Sequence, residues 1–434
     1  MNDDEPLTAH QFEASGGVEA WRVVASEAAA WFGTASLSEG ARLVRRIAEL
    51  ADDADSLPDV DLRDRGVRVR VGARGSTGLT RADAEKARAI SDAARDLGLV
   101  GDPAALQMLR LTIEALDRPA VMPFWHAVLG YAQLGDSLVD PMRRDPTIRF
   151  LDSDQQRPLR NRIHVDVVRP QSVTKQARKA VSAAGGRETY SGEYHATVAD
   201  AEGNEADLIP IGGSGAGTAA EAQKAVDMLG AGPDTADWRV LFGGMTFYPI
   251  ASPMRAAELA ATVADLAAEA RFPLLVDVRP EGVTIDTGKD RWEDGRFGDL
   301  ARRVQTAARE LGLAAEPARL RFVQFGIDAV DIAAVRDFWR VALGYEYDPR
   351  PSVTDIYDPR RLNPPVFFQQ MSAADHSRRQ QRDRVRLDLL VPADRARFRV
   401  DAALATGGRI LSGGSGPASW RLADPEGNVL ELAC

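Results

Sequence analysis

Proton or metal chemistry in this chain would fall first to its five histidines, His10, His126, His164, His195 and His376, since imidazole titrates near neutrality and ligates metals. His164 stands in Ile163-His164-Val165-Asp166, an alternation that reads as a strand with His164 and Asp166 on one face. An imidazole beside a carboxylate suits acid/base work; the same pattern suits a hydrogen-bonded histidine inside a sheet, and both readings stand. His195, with Tyr190 and Tyr194, surrounds a loop ahead of later strands and could line a pocket mouth. His126 sits beside Trp125 on a helix and reads as surface or packing, while His10 and His376 lie in weakly patterned segments. The single Cys434 excludes an intrachain disulfide and a thiolate metal cluster. Gly212 to Gly217 lacks the Gly-Lys-Ser/Thr ending of a phosphate loop. Only five lysines stand among 54 basic residues, a bias that lowers the value of any one arginine as a signal.

The elements that must position these groups occur twice. Trp21-Arg22-Val23 returns as Trp238-Arg239-Val240, and Val60-Asp61-Leu62 as Val276-Asp277-Val278. Arg95 to Leu99 returns as Arg309 to Leu313, Phe124-Trp125 as Phe338-Trp339, and Leu129-Gly130-Tyr131 as Leu343-Gly344-Tyr345. Asp200-Ala201-Glu202-Gly203-Asn204 returns as Asp424-Pro425-Glu426-Gly427-Asn428. The order is kept at a near-constant offset, so the chain is a duplication of a domain-sized or larger piece. Between the copies, 213–234 is glycine-rich and reads as a linker.

Each copy opens with a helix (Ser38 to Ala51 in the first), then strands at Val60 to Leu62 and Val67 to Val71. A second helix opens at Thr80 with Asp83 in capping position and ends before Gly98. Next come a strand at Leu109 to Leu116, a helix through Phe124 and Trp125 stopped by Gly130, and short strands split by Pro and Gly. Trp125 and Trp339 fall at core spacing.

With Leu57-Pro58-Asp59-Val60-Asp61-Leu62, Gly66-Val67-Arg68-Val69 and Gly78-Leu79-Thr80, residues 17–100 resemble pterin-4a-carbinolamine dehydratases, and 235–314 resemble them through their match to the first copy. Residues 107–212 and 320–434 resemble the vicinal-oxygen-chelate (VOC) family of glyoxalases, extradiol dioxygenases and bleomycin-resistance proteins. There the cues are the Phe-Trp helix, Leu-Gly-Tyr and the Asp-Pro-Glu-Gly-Asn turn. The expected fold is α+β: two dehydratase-like α/β modules and two glyoxalase-like modules of paired βαβββ units, in internal duplication.

What the resemblance implies for chemistry has to be carried over residue by residue. The dehydratase His-His pair falls at Ser56 and Leu57, and at Arg271 and Phe272, with the third histidine near Arg74 and Lys289. None can do the family's proton transfer, so these modules are expected to be scaffold, dimerisation surface or pocket wall. In the glyoxalase-like modules the metal-ligand positions fall at Arg110, His164 and Asp207 in the first copy, and at Gln324, Arg386 and Glu431 in the second. Arginine has no acceptor and cannot ligate a metal. Each copy therefore loses at least one ligand, and the expectation is no metal and no cofactor. A fixed arginine can instead polarise a carbonyl or hold a carboxylate, and Arg110 with Asp207, or Arg386 with Glu431, can equally be plain ion pairs. The expected working pocket brings His164, Arg110 and Asp207 to one concavity, with Gln324, Arg386 and Glu431 as further ligand-binding residues.

At 434 residues, 44% hydrophobic and 27% charged, the chain suits two to four globular domains. A net charge of −10 argues against nucleic acid. Met1 to Pro6 lacks signal-peptide character, and no run approaches the roughly 20 apolar residues of a membrane span. The expectation is a cytoplasmic protein with a small-molecule ligand and no membrane partner, either a monomer with pseudo-dimeric halves or a homodimer. Two functions follow: a small-molecule binding protein, or a metal-independent acid/base lyase or isomerase of VOC type. The alternatives are a dehydratase-type lyase and a metal-dependent glyoxalase- or dioxygenase-type enzyme.

Overall fold

A computed structural model describes residues 5–53, 55–72, 78–192, 195–211, 229, 232–413 and 419–434. Most of the 213–234 linker expectation, together with Arg74 and Tyr194, lies outside the described residues. The chain divides into two compact units, each built from two separate stretches: 1–106 with 211–321, and 107–210 with 322–434. Like modules of the two copies thus associate, instead of each copy forming its own body. No described helix is long and apolar enough to cross a membrane.

In the first unit, strict alternation makes a sheet with one apolar face. Val60, Leu62, Val67 and Val69 of one copy and Val276, Val278, Val283 and Ile285 of the other are buried in a common core. Helices Leu37–Glu49, Arg81–Asp96, Pro253–Ala270 and Phe297–Glu310 contribute to that core. Ser36 caps the first of them at Glu39, and Thr80 with Asp83 forms the expected capping box. The two copies join at the middle of a nine-stranded sheet, where Asp59–Arg63 runs antiparallel to Leu275–Arg279 and Asp61 lies opposite Asp277. Two carboxylates side by side repel, and the arginines of the opposing strand answer them. Arg279 donates to Asp61 at 2.5 Å and Arg63 pairs with Asp277 at 2.7 Å, a crossed exchange between the copies. Burial raises the Asp61 pKa, but Arg279 and Arg68 outweigh it and hold the carboxyl well below its ordinary value.

The second unit holds two eight-stranded sheets. Each copy supplies two βαβββ pieces. In the first copy they start at strands Met108–Ala115 and Ile163–Pro170, and in the second at Phe322–Ala329 and Val385–Leu390. The pieces pair across the duplication. Met108–Ala115 lies antiparallel to Val385–Leu390, and Ile163–Pro170 to Phe322–Ala329. Every sheet is therefore half one copy and half the other. Apolar residues such as Leu111, Ile113, Val165 and Phe325 face a core that buries Trp125 and Trp339 completely.

The repeated Asp-x-Glu-Gly-Asn turn locks this core. Asp200 accepts the Trp125 indole N–H at 3.1 Å and the Asn204 amide at 2.7 Å, and Asp424 does the same for Trp339 and Asn428. Gly203 and Gly427 take the left-handed turn conformation, with φ of 85° and 92°. The middle glutamates reach the starts of the tryptophan helices: Glu202 accepts from the Asp117 amide, and Glu426 from those of Val330 and Asp331.

Candidate functional site

Residues that alternate with the apolar positions form a polar face on each sheet of the second unit. On the sheet through Ile163–Pro170 this face carries His164 and Asp166. Their cross-strand partners are Gly326 and Gln324. His164 is 2% exposed, and neither ring nitrogen makes a hydrogen bond to a described residue. Its Nε2 lies 3.7 Å from Asp166 Oδ1, and Phe367 meets the ring edge-on at 5.6 Å. The ring fits only because residue 326 is glycine; a Cβ there would come within 2.3 Å of His164 Cε1. Gln324 donates to Asp166 at 2.8 Å. Asp207 accepts from the Thr197 hydroxyl at 2.6 Å and lies 3.6 Å from His195 Nε2. One ligand-type atom from each of His164, Asp166 and Asp207 lies within 4.8 Å of the others. Tyr190 packs on His195, with ring centroids 5.0 Å apart.

Arg110 does not join them, and the expectation of one cluster of His164, Arg110 and Asp207 is corrected here. Its strand pairs with Val385–Leu390, so Arg110 belongs to the other sheet, where it holds Asp388 Oδ2 through Nε and Nη2 at 3.0 and 2.9 Å. Thr112 also donates to that oxygen, at 2.6 Å. Arg386 bridges Glu114 at 2.5 Å and Glu431 at 3.0 Å, so the expected Arg386–Glu431 pair is present while the Arg110–Asp207 pair is not. Glu114 also takes Arg157 and Arg382. Burial raises the Glu114 pKa, yet the hydrogen bonds and charges of Arg382 and Arg157 bring it down to about 2.

Strand exchange thus re-sorts the six positions. His164, Asp207 and Gln324 share one sheet, with no arginine among them; Arg110, Arg386 and Glu431 share the other. An arginine breaks each ligand set taken copy by copy, but the set gathered on the His164 sheet contains none. Asp388 and Glu114 were missed by sequence reasoning. Asp388 carried a signal, because Arg386-Leu387-Asp388 repeats the spacing of His164-Val165-Asp166. His126 and His376 are exposed, and His126 Nδ1 lies 2.5 Å from the Tyr131 carbonyl oxygen.

A family model described as a glyoxalase-like domain matches residues 110–209 and again 324–433. The chain carries two glyoxalase-like domains. Both matched stretches lie inside the second unit. Arg110, His164, Gln324 and Arg386 lie on the strands through which these glyoxalase-like domains pair with each other. Asp207 and Glu431 lie on strands that stay beside their own copy's His164 and Arg386. No curated protein matches the chain. Among solved structures it is similar to glyoxalase I from Zea mays, at 11% identity over 75% of this chain and 92% of that one, with a TM-score of 0.37. It is also similar to a hypothetical protein from S. aureus, at 14% identity over 25% of this chain and 88% of that one, with a TM-score of 0.20.

Proposed function

We propose that the His164 face is a divalent-metal site and that the protein is a metal-dependent enzyme of the vicinal-oxygen-chelate type, acting on a small oxygenated metabolite. The observation that carries this reading is the His164 ring, buried, with both nitrogens outside any hydrogen bond to a described residue and two carboxylates beside it. A buried imidazole left so is costly, and a cation between it and Asp166 and Asp207 removes the cost. Imidazole with carboxylate oxygens suits zinc, iron, nickel or manganese. His164, Asp166 and Asp207 would hold the ion, which would polarise a substrate oxygen as a Lewis acid. Gln324 fixes Asp166 and Thr197 fixes Asp207, the supporting role that orients metal ligands. Gly326 gives the imidazole its room.

This reading replaces the metal-free expectation, whose ground was an arginine in each set. The first unit, in the same reading, is a pair of pterin-dehydratase-like modules kept as scaffold. Leu57 and Phe272, at two of the histidine positions, are buried apolar groups that move no proton.

The test is metal analysis of purified protein after reconstitution with zinc, manganese, nickel or iron(II) and dialysis. About one ion per chain is expected, lost in His164→Ala. Failure of all four metals to stay bound in the folded wild-type protein refutes the proposal, and the binding-protein reading then stands in its place.

A further inference from the structure

The second polar face, around Arg110 and Arg386, differs from the first in charge. Among the described residues, five guanidiniums (Arg110, Arg157, Arg382, Arg386 and Arg421) meet three carboxylates, Glu114, Asp388 and Glu431. The surplus is positive in a chain whose net charge is −10. A sixth arginine adds to it. Arg149 stands in register with Thr112 on the neighbouring strand, between the core residues Ile148 and Phe150, so it shares the polar face. It is half-buried, and its side chain makes no hydrogen bond or ion pair with any described residue. Arg110 spends Nε and Nη2 on Asp388 and its side chain is 19% exposed, so this face is open to solvent.

We propose that this face binds a small organic carboxylate, held by Arg149 and Arg110. A half-buried guanidinium without a partner gives up hydration for nothing; an anion returns it. The planar fork of Arg149 matches a carboxylate through two parallel hydrogen bonds, which a spherical anion cannot use. Arg386, tied to Glu114 and Glu431, supplies fixed positive charge behind the contact. The site needs no metal and is independent of the His164 face.

Calorimetric titration with malonate at constant ionic strength tests it, with the spherical anions fluoride and bromide as controls and with the protein both untreated and chelator-treated. Malonate is expected to bind saturably and more tightly than either control, and equally with or without chelator. Arg149→Gln is expected to weaken binding at least tenfold, while His164→Ala leaves it unchanged. Arg149 carries no ion pair with a described residue, so the variant should fold; should it not, Arg149→Lys keeps the charge, removes the fork and is expected to show the same loss. No saturable binding, equal binding of fluoride or bromide, retention in both Arg149 variants, or loss on chelation or in His164→Ala each overturns the proposal.

Discussion

Glu114 is a single carboxylate on which three arginines converge. Arg157 and Arg386 each reach it at 2.5 Å, and Arg382 at 2.7 and 2.8 Å. Glu114→Gln keeps the shape and removes the charge. A fall in pKa from 4.5 to about 2, at a residue 8% exposed, is worth roughly 3 kcal/mol of stability. A depressed carboxylate stabilises fully above its unfolded value and loses that stabilisation as pH falls through its folded value. The contribution is therefore complete above about 4.5 and gone near 2. Amide exchange of the Met108–Ala115 strand, followed by mass spectrometry, reads this locally. At pH 7 the variant should lose about a hundredfold in protection, with the gap to wild type closing between pH 4.5 and 2. A gap under about 1 kcal/mol at pH 7, or one that persists unchanged at pH 2, refutes the reasoning.

Gly326→Ala should displace the His164 ring, costing about 1–3 kcal/mol and weakening metal retention well beyond any loss seen in a control such as Gly295→Ala, where a Cβ meets nothing. Asp424→Ala leaves the Trp339 indole and the Asn428 amide without their acceptor inside the core. Urea denaturation should show about 2–4 kcal/mol of destabilisation, and Asp424→Asn, which keeps an acceptor, less. Arg279→Met takes from the buried Asp61 one of its two close arginines and leaves Arg68 at 2.6 Å, with an expected loss of about 1–3 kcal/mol. Adding Asp61→Leu removes the carboxylate that Arg68 holds, so the double variant should be less stable than the single, and a double variant that recovers stability would refute this account.

Local features were legible because they need only a few neighbouring residues. Thr80 and Asp83 announced a capping box, the spacing of Trp125 and Trp339 announced core positions, and the alternation around His164 placed Asp166 on its face. The repeated Asp-x-Glu-Gly-Asn turn was recognisable as a marker; its work of holding a tryptophan and a helix start depends on residues far away in the chain. Strand partnership was not legible. Alternation fixes which face a residue takes, but Met108–Ala115 offers the same apolar stripe to Ile163–Pro170 as to Val385–Leu390. The choice between them is made by how the two copies pack, which leaves no local trace. Arg110 was accordingly set beside Asp207 when it pairs with Asp388.

Strand exchange has a consequence for how this chain can change over time. Two identical subunits assembled in this way would carry two identical faces, and one substitution would alter both at once. Covalent linkage frees positions 164 and 386 to vary separately, and they now hold histidine and arginine. One face holds an imidazole and two carboxylates, the other a surplus of guanidiniums. That difference is a property of the peptide bond between the copies: cut within 212–228, the chain would yield two pieces, each owning half of both faces and the whole of neither.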